Sequence, residues 1–414
     1  MNLNWFLSRT VRIAQQMRKH VGKILAAQRD LLAPQAITAV TAAMQSIDAA
    51  VTGPLDKKAL EKEMSNLETT ANKWLRPYPN AGLRENVEVL LVAIAVAMGI
   101  RTFFIQPFKI PTGSMQPTLY GITTIPDYSR QGFPSDLKAQ ANMEFPNPLT
   151  CFLKYWMSGI QYKHVVARSG GAIAHVGEPQ RFLLFNLKQQ FHLQDDPNPY
   201  TVWFPPDNLF QRAGLVAGGM YHPHVFQKGE DIIKMIAISG DHLFVDRMSY
   251  NFRRPTRGEI IVFETRGIAE LPPDQFYIKR LVALGPERIR IGDDRHLVIN
   301  DTQRLDNTTP HFENVYSFPP ERPPMESKYS GHVNEVVGRQ SGIPELAPLF
   351  PEAQQNFLVP TNRYMVMGDN TLNSSDSRRW GTFPRENVIG KSFFVYWPIG
   401  RQQERPSRFG WGNR

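Results

Sequence analysis

The chain has 414 residues, 42% hydrophobic and 21% charged, a balance that excludes a disordered protein and leaves room for two or three folded domains. Its single cysteine, Cys151, excludes an intramolecular disulfide and a cysteine-rich metal site, so a body outside the cytoplasm must rely on its core alone. The formal net charge of +9 suits nucleic acid or an acidic membrane surface, but no zinc-finger spacing or RNA-binding signature accompanies it, and no nucleic acid partner is expected.

Residues 1–86 read as a helical region. Leu60, Met64, Leu67, Ala71 and Trp74 recur at three- and four-residue spacing, and Pro34 and Gly53-Pro54 divide the stretch into two or three helices. The first thirty residues mix Trp5, Phe6, Leu7, Val11 and Ile13 with Arg9, Arg12, Arg18 and Lys19, a pattern that leaves a membrane-surface helix open.

Residues 87–105 follow as a transmembrane helix. Val89 to Ile100 is an unbroken apolar run, and the segment from Val87 to Ile105 makes a helix of roughly 28 Å at 1.5 Å per residue, close to a bilayer core. Glu88 and Arg101 lie near its ends, where charges snorkel. Because it starts late and lacks a small-residue cleavage site, it reads as a retained anchor. Lys73, Arg76 and Arg84 precede it while only Lys109 follows closely, so the positive-inside rule places the N-terminus in the cytoplasm and residues 106–400 outside.

Nine residues past the span stands Ser114, in Pro111-Thr-Gly-Ser-Met-Gln-Pro-Thr-Leu119. Gly113 allows a tight backbone beside the serine, and a nearby backbone N–H with the Thr112 hydroxyl suits an oxyanion. Between about residues 121 and 238 the pattern is of short strands, at 162–166, 172–176, 182–187 and 191–193, in an ordered β-rich subdomain. His222 and His224 lack a third ligand in view and are assigned no metal.

Strand-like runs then resume at Arg257–Glu264, Phe276–Val282, Arg288–Ile291 and His296–Asn300, with proline-rich loops at 318–324 and 343–351. Lys279 lies in the second of these runs, flanked by Tyr277, Ile278, Leu281 and Val282. A lysine near its ordinary pKa of about 10.4 is protonated at neutral pH and serves as a base only if burial lowers that value. Taken alone, it is an ordinary solvent-facing strand lysine next to Arg280. Asp369, Asp376 and Arg378, in Gly368-Asp-Asn-Thr-Leu-Asn-Ser-Ser-Asp-Ser-Arg-Arg-Trp-Gly381, read as scaffolding, since a carboxylate and a guanidinium form a directional fork. A Ser/His/Asp triad is the mechanistic competitor, yet no Gly-x-Ser-x-Gly elbow occurs. Residues 401–414 form a basic C-terminal tail.

Four of these segments, in order, resemble the type I signal peptidases. Arg101–Leu119 is similar to their membrane exit and serine box, and Gly240–Arg247 with Arg257–Phe263 to the strand pair that follows. Tyr277-Ile-Lys-Arg280 is similar to their lysine box, and Gly368–Gly381 to their last box. The resemblance implies a mainly β catalytic body with a Ser/Lys dyad, in which Ser114 attacks the scissile carbonyl and Lys279 takes its proton. It further implies that Ser374 hydrogen-bonds and orients the lysine, and that the Ser114 N–H and Thr112 hydroxyl form the oxyanion hole. Phe108, Ile110, Met115, Leu119, Tyr277 and Ile278 match the lining of the substrate pockets, which take small residues before the cleavage site.

The expected protein is thus a serine endopeptidase of the cell (inner) membrane that removes signal peptides from preproteins, needing neither metal nor organic cofactor, with the lipid bilayer as its other partner. Thr371 and Leu372 depart from the family, which usually carries an Arg-Asp pair there, and the long 121–238 segment stands where close relatives often need only a handful of residues. Trp156, Trp203, Tyr155 and Phe204 within it are candidates to meet lipid headgroups or the preprotein. Two alternatives remain: a self-cleaving Ser/Lys repressor, which would carry a DNA-binding helix-turn-helix in place of the span, and a catalytically inactive envelope binding protein.

Overall fold

The computed structural model describes residues 8–53, 56–76, 81–126, 143–182, 185–217, 220–221, 224–317, 331–402, 405 and 407–411. The chain divides into two units, Met1–Val96 and Ala97–Arg414.

The first unit contains three packed helices: α1 (Arg9–Gln28), α2 (Pro34–Thr52) and α3 (Lys57–Trp74). Pro34 opens α2, where its missing N–H costs nothing, and Asp56 caps α3 by accepting from Lys58 N and Ala59 N at 3.0 and 3.3 Å. Val11, Ala14, Val21, Val40, Ile47, Leu60 and Leu67 form the shared core. Val11 and Ala14 of α1 are turned onto its neighbours while Ile13 is exposed; Trp5, Phe6 and Leu7 lie outside the described residues.

Helix α4 (Ala81–Gly99) continues through a π-turn, Ile100–Phe104, and Gly82–Phe104 has a mean hydropathy of 2.1 with none of its best window buried. It is the one helix among the described residues long and apolar enough to cross a membrane. Ile105, read from the sequence as its last residue, instead opens strand β1 (Ile105–Lys109). Pro107, with no N–H to donate, cannot continue a helix.

The body is mainly β. Its central antiparallel sheet comprises β1, β2 (His242–Asp246), β3 (Ile260–Glu264), β4 (Phe276–Leu284), β5 (Arg363–Met367), β6 (Phe383–Pro384) and β7 (Val388–Trp397), in the order β1-β2-β7-β3-β4-β5-β6. Arg257 to Glu259, expected within β3, form the turn entering it, where Gly258 takes φ +92°. Register pairs Lys279 of β4 with Ile261 of β3, and Arg280 with Met367 of β5. One apolar cluster gathers Ile110, Met115, Leu119, Leu243, Val262 and Val395; another gathers Ile261, Phe263, Leu281, Val366 and Phe383. A smaller four-stranded sheet, including Glu287–Ile291 and Leu297–Ile299, packs through Ile289, Leu297, Phe312 and Phe350. Residues 343–351 are a loop, as expected, and 318–324 lie outside the described residues.

The inserted segment has its own core, with Phe191, Leu193, Tyr200, Phe210, Phe226 and Met235 at its centre. Its strands run at Ile160–Val166, Ile173–Val176, Gln180–Phe182, Phe185–Leu193 and Tyr200–Trp203. The break expected near residue 188 does not occur, because Phe185–Leu193 pairs along its length with flanking strands. A helix, α5 (Pro148–Ser158), was not expected; it exposes Leu149, Phe152, Leu153, Trp156 and Met157. The insertion's two ends meet: Tyr120 and Asp241 exchange backbone and side-chain hydrogen bonds at 2.8 and 2.7 Å, and a side chain on Gly240 would collide with the Ile110 carbonyl.

Some of the described C-terminal residues pack onto the body. Arg408 forks onto Asp241 at 2.7 and 2.8 Å and lies 4.1 Å over the Tyr120 ring, while Gly410 bridges to Val395.

Candidate active site

Ser114 sits on a turn directly after β1, and that turn is fixed from below. The Ser114 carbonyl accepts from Asn370 N, and the Gly113 carbonyl from Asn370 Nδ2, each at 3.0 Å. The two chain segments touch so closely that a Cβ on Gly368 would overlap the Ser114 carbonyl oxygen and Ser374 Oγ. Glycine is required there for approach.

Lys279 reaches the serine from the middle of the sheet, its Nζ 2.7 Å from Ser114 Oγ and 3.1 Å from the Ile278 carbonyl. The two residues are 165 apart in sequence, and both are buried. Burial pulls the Lys279 pKa down to about 8, even though Asp376 and Asp369 act to raise it. A neutral amine beside a serine hydroxyl can accept its proton. The Thr112 hydroxyl lies 3.5 Å from Ser114 Oγ on the exposed side, and Ser114 N–H donates to none of the described residues. Both are placed to donate to an oxygen developing negative charge above the serine.

Ser374 departs from the expectation. It is buried beside the same cavity, but its Oγ makes no hydrogen bond to Lys279. The lysine is oriented instead by Ser114 Oγ and the Ile278 carbonyl, with Ser374 held under Gly368 on the Asp376 side.

Beneath the dyad are two fully buried ion pairs. Arg378 grips Asp376 through Nε and Nη2 at 2.8 and 2.9 Å, and Asp376 also accepts from Gly368 N at 3.0 Å. Burial, the largest single influence, would raise the Asp376 carboxyl, but the Arg378 guanidinium together with hydrogen bonding that includes Gly368 N holds the pKa below the usual value. Asp369, expected in the same brace, turns the other way, onto Arg280 at 2.8 and 2.6 Å, and accepts from the Thr118 hydroxyl at 2.5 Å. Arg280 was not singled out from the sequence; its spare donors go to the Gly258 and His311 carbonyls. Such pairs persist only when each donor is satisfied, and loss of one partner costs ~3–5 kcal/mol.

Of the expected pocket residues, Tyr277 and Ile278 line a cavity of about 510 Å³ beside Ser114. Phe108, half-buried, packs edge-on to Phe276 with ring centroids 5.5 Å apart. Ile110, Met115 and Leu119 do not line that cavity; they are buried in the sheet's core, because the serine turn folds back onto β2 and β3. No group of acids, histidines or cysteines with metal-ligand spacing occurs among the described residues, and His224 is engaged with Glu230 at 2.7 Å.

A serine hydroxyl against a buried lysine of lowered pKa is the arrangement of an acyl-transfer site with an amine base. The model of the family described as signal peptidase, peptidase S26 matches residues 83–132 and 234–397, just over half of the chain, and the gap falls within the insertion. A signal peptidase I of Leptolyngbya laminosa is 32% identical over 167 residues, which cover 40% of this chain and 64% of that protein. A probable signal peptidase I-2 of Synechocystis is 30% identical, over 39% of this chain and 57% of its own. A solved signal peptidase I of Enterococcus faecalis V583 is 24% identical, over 34% of this chain and 97% of its own, with a TM-score of 0.20. The chain belongs to the S26 signal peptidase family. It spans under two thirds of the length of the Leptolyngbya and Synechocystis relatives.

Proposed function

We propose that the protein is a membrane-anchored serine endopeptidase that cleaves signal peptides from preproteins, with Ser114 as nucleophile and Lys279 as general base. The observation that carries this reading is the 2.7 Å approach of Lys279 Nζ to Ser114 Oγ in a buried setting. Family membership supports the substrate class. The neutral lysine takes the serine proton as Oγ attacks the scissile carbonyl; the Ser114 N–H and Thr112 hydroxyl stabilise the oxyanion. The resulting lysine ammonium then protonates the leaving amine, and water, deprotonated by the regenerated amine, releases the acyl-enzyme.

Small residues before the cut fit this reading through the resemblance of Phe108, Ile110, Met115, Leu119, Tyr277 and Ile278 to the family's pockets, with the last two on the cavity wall. Asp369, Asp376 and Arg378 hold the last box against the serine turn. The apolar helix Gly82–Phe104 supports anchoring in the bilayer, and the basic flank Lys73, Arg76 and Arg84 supports a cytoplasmic N-terminus with residues 106–400 on the extracytoplasmic face of the cell membrane.

Ser114→Ala and Lys279→Ala should each lower preprotein processing by orders of magnitude with the fold intact, and the double variant should be little worse than either, because residues acting as a unit are not additive. Near-normal turnover by Lys279→Ala would direct the search to another base. For orientation, a reporter active only outside the cytoplasm should be active when fused after residue 130 and silent when fused at residue 70. The reverse pattern would overturn the placement.

A further inference from the structure

The positive charge of the three-helix bundle is gathered on one helix. α1 holds five arginines and lysines (Arg9, Arg12, Arg18, Lys19 and Lys23) and no acid, α2 holds one aspartate and no cation, and α3 interleaves four lysines with three glutamates. Arg18 is paired with Asp48 at 2.9 Å. Arg9, Arg12, Lys19 and Lys23 are exposed and form no ion pair with any described residue. At 3.6 residues per turn these four fall within an arc of about 80°, on the side of α1 away from its buried Val11, Ala14 and Val21, in a stripe about 21 Å long.

This arrangement costs α1 stability when the helix is taken by itself. Arg9 and Arg12 stand at its N-terminal end, where the helix dipole disfavours cations; no acid offsets them in the first turn, and no cation stands in the last. Arg9 with Arg12, and Lys19 with Lys23, are like-charge neighbours on the helix surface and repel. A face that only meets water gains nothing from excluding acids, and α3 mixes both signs. A one-sign stripe is stabilised when an anionic surface covers it.

The chain itself sets which anionic surface is near. Gln28, at the end of α1, holds the Arg76 backbone both ways: its Nε2 donates to the carbonyl at 2.6 Å, and its Oε1 accepts from the N–H at 3.2 Å. From Arg76 to Ala81, where α4 begins, five steps of chain span at most about 18 Å. With Gly82–Phe104 in a bilayer, α1 is tethered beside that bilayer's surface, and a short tether makes even a weak contact effective. α1 carries no phenylalanine, tyrosine or tryptophan on which a nucleic-acid base could stack.

We infer that the Arg9, Arg12, Lys19 and Lys23 face of α1 docks on the anionic phospholipid headgroups of the membrane that holds the protein. The inference rests on the anchoring reading of Gly82–Phe104 and adds to it a second membrane contact, electrostatic rather than apolar.

The test uses the full-length chain with Cys151→Ser and Gln16→Cys, so that a fluorophore is attached at one exposed position within the stripe. The protein is placed in nanodiscs that contain a lipid with a headgroup quencher, either in phosphatidylcholine alone or with phosphatidylglycerol added. Quenching should be several-fold stronger in the anionic discs, and should fall to the neutral level in about 1 M salt, where exposed charges are screened within about 3 Å. Replacing Arg9, Arg12, Lys19 and Lys23 together with glutamine should abolish the difference. Lys19→Gln with Lys23→Gln should lower it about two-fold or more, and keeps the test open if the fourfold variant does not fold. Lys57→Gln with Lys58→Gln, at exposed positions of α3, should leave it unchanged. Equal quenching in the two kinds of disc, an equal loss from the two lysine pairs, or a label that responds to added RNA and not to anionic lipid would overturn the inference. Failure of the protein to enter either kind of disc would instead overturn the anchoring reading, and the docking face with it.

Discussion

Lys279 is set by two opposing influences, burial that strips water from the ammonium and the nearby carboxylates of Asp376 and Asp369 that favour it. Burial is the larger, and the pKa falls to about 8. The sign of the consequence follows directly. Below that value the amine holds a proton and cannot take another from Ser114; above it the amine is free. kcat/KM should therefore rise with pH through about 8 and level off above it. Bound substrate covers the cavity and removes more water, so the rise in kcat should lie at lower pH than the rise in kcat/KM. A profile flat from mildly acidic to strongly alkaline pH would count against a lysine base. At this scale the sequence is informative through its motifs taken together: Lys279 alone reads as a solvent-facing strand lysine, and it is the match of its run alongside that of Ser114 that singles out the pair. Arg280 was missed because an arginine beside a lysine in a strand reads as a surface charge. Only the fold brings Asp369, 89 positions away, onto its guanidinium. The absent Ser374 to Lys279 bond was equally out of reach, since hydrogen-bond partners depend on tenths of an ångström that motif spacing does not carry.

The elements divide by how much of their pattern is self-contained. The strands around the site were readable because β-branched and aromatic residues cluster there between glycine and proline turns, and α1 to α3 because their apolar positions recur at helical spacing. Helix α5 was missed although its ends are marked in the sequence: Asn147 caps it, Pro148 opens it and Gly159 closes it in the left-handed conformation. The break wrongly expected near residue 188 lies in Lys188-Gln-Gln190, a polar step that pairing on both sides keeps extended. The insertion is closed at its base by Tyr120, Asp241 and Arg408, and its exposed Leu149, Phe152, Trp156 and Trp203 are suited to the membrane interface. Replacing Thr123–Ile238 with a short Gly/Ser linker should preserve cleavage of a small soluble peptide and reduce processing of preprotein in vesicles several-fold. Equal activity of the shortened protein on both substrates would make the insertion a passive elaboration.

For the whole molecule, the apolar helix Gly82–Phe104 and the β body were visible in the order of the sequence, because one is a composition and the other a succession of strands and turns. The base of the insertion was less visible, because it depends on Gly121 and Gly240 meeting across more than a hundred residues. What the assembled chain does with its dyad is open to direct observation. The full-length protein in detergent should be incubated with a preprotein and the products read by mass spectrometry. The account predicts one cut, after a small residue at the end of the signal peptide, that is absent when Ser114→Ala protein is used. No cut, or a cut at the same position by the Ser114→Ala protein, would contradict it.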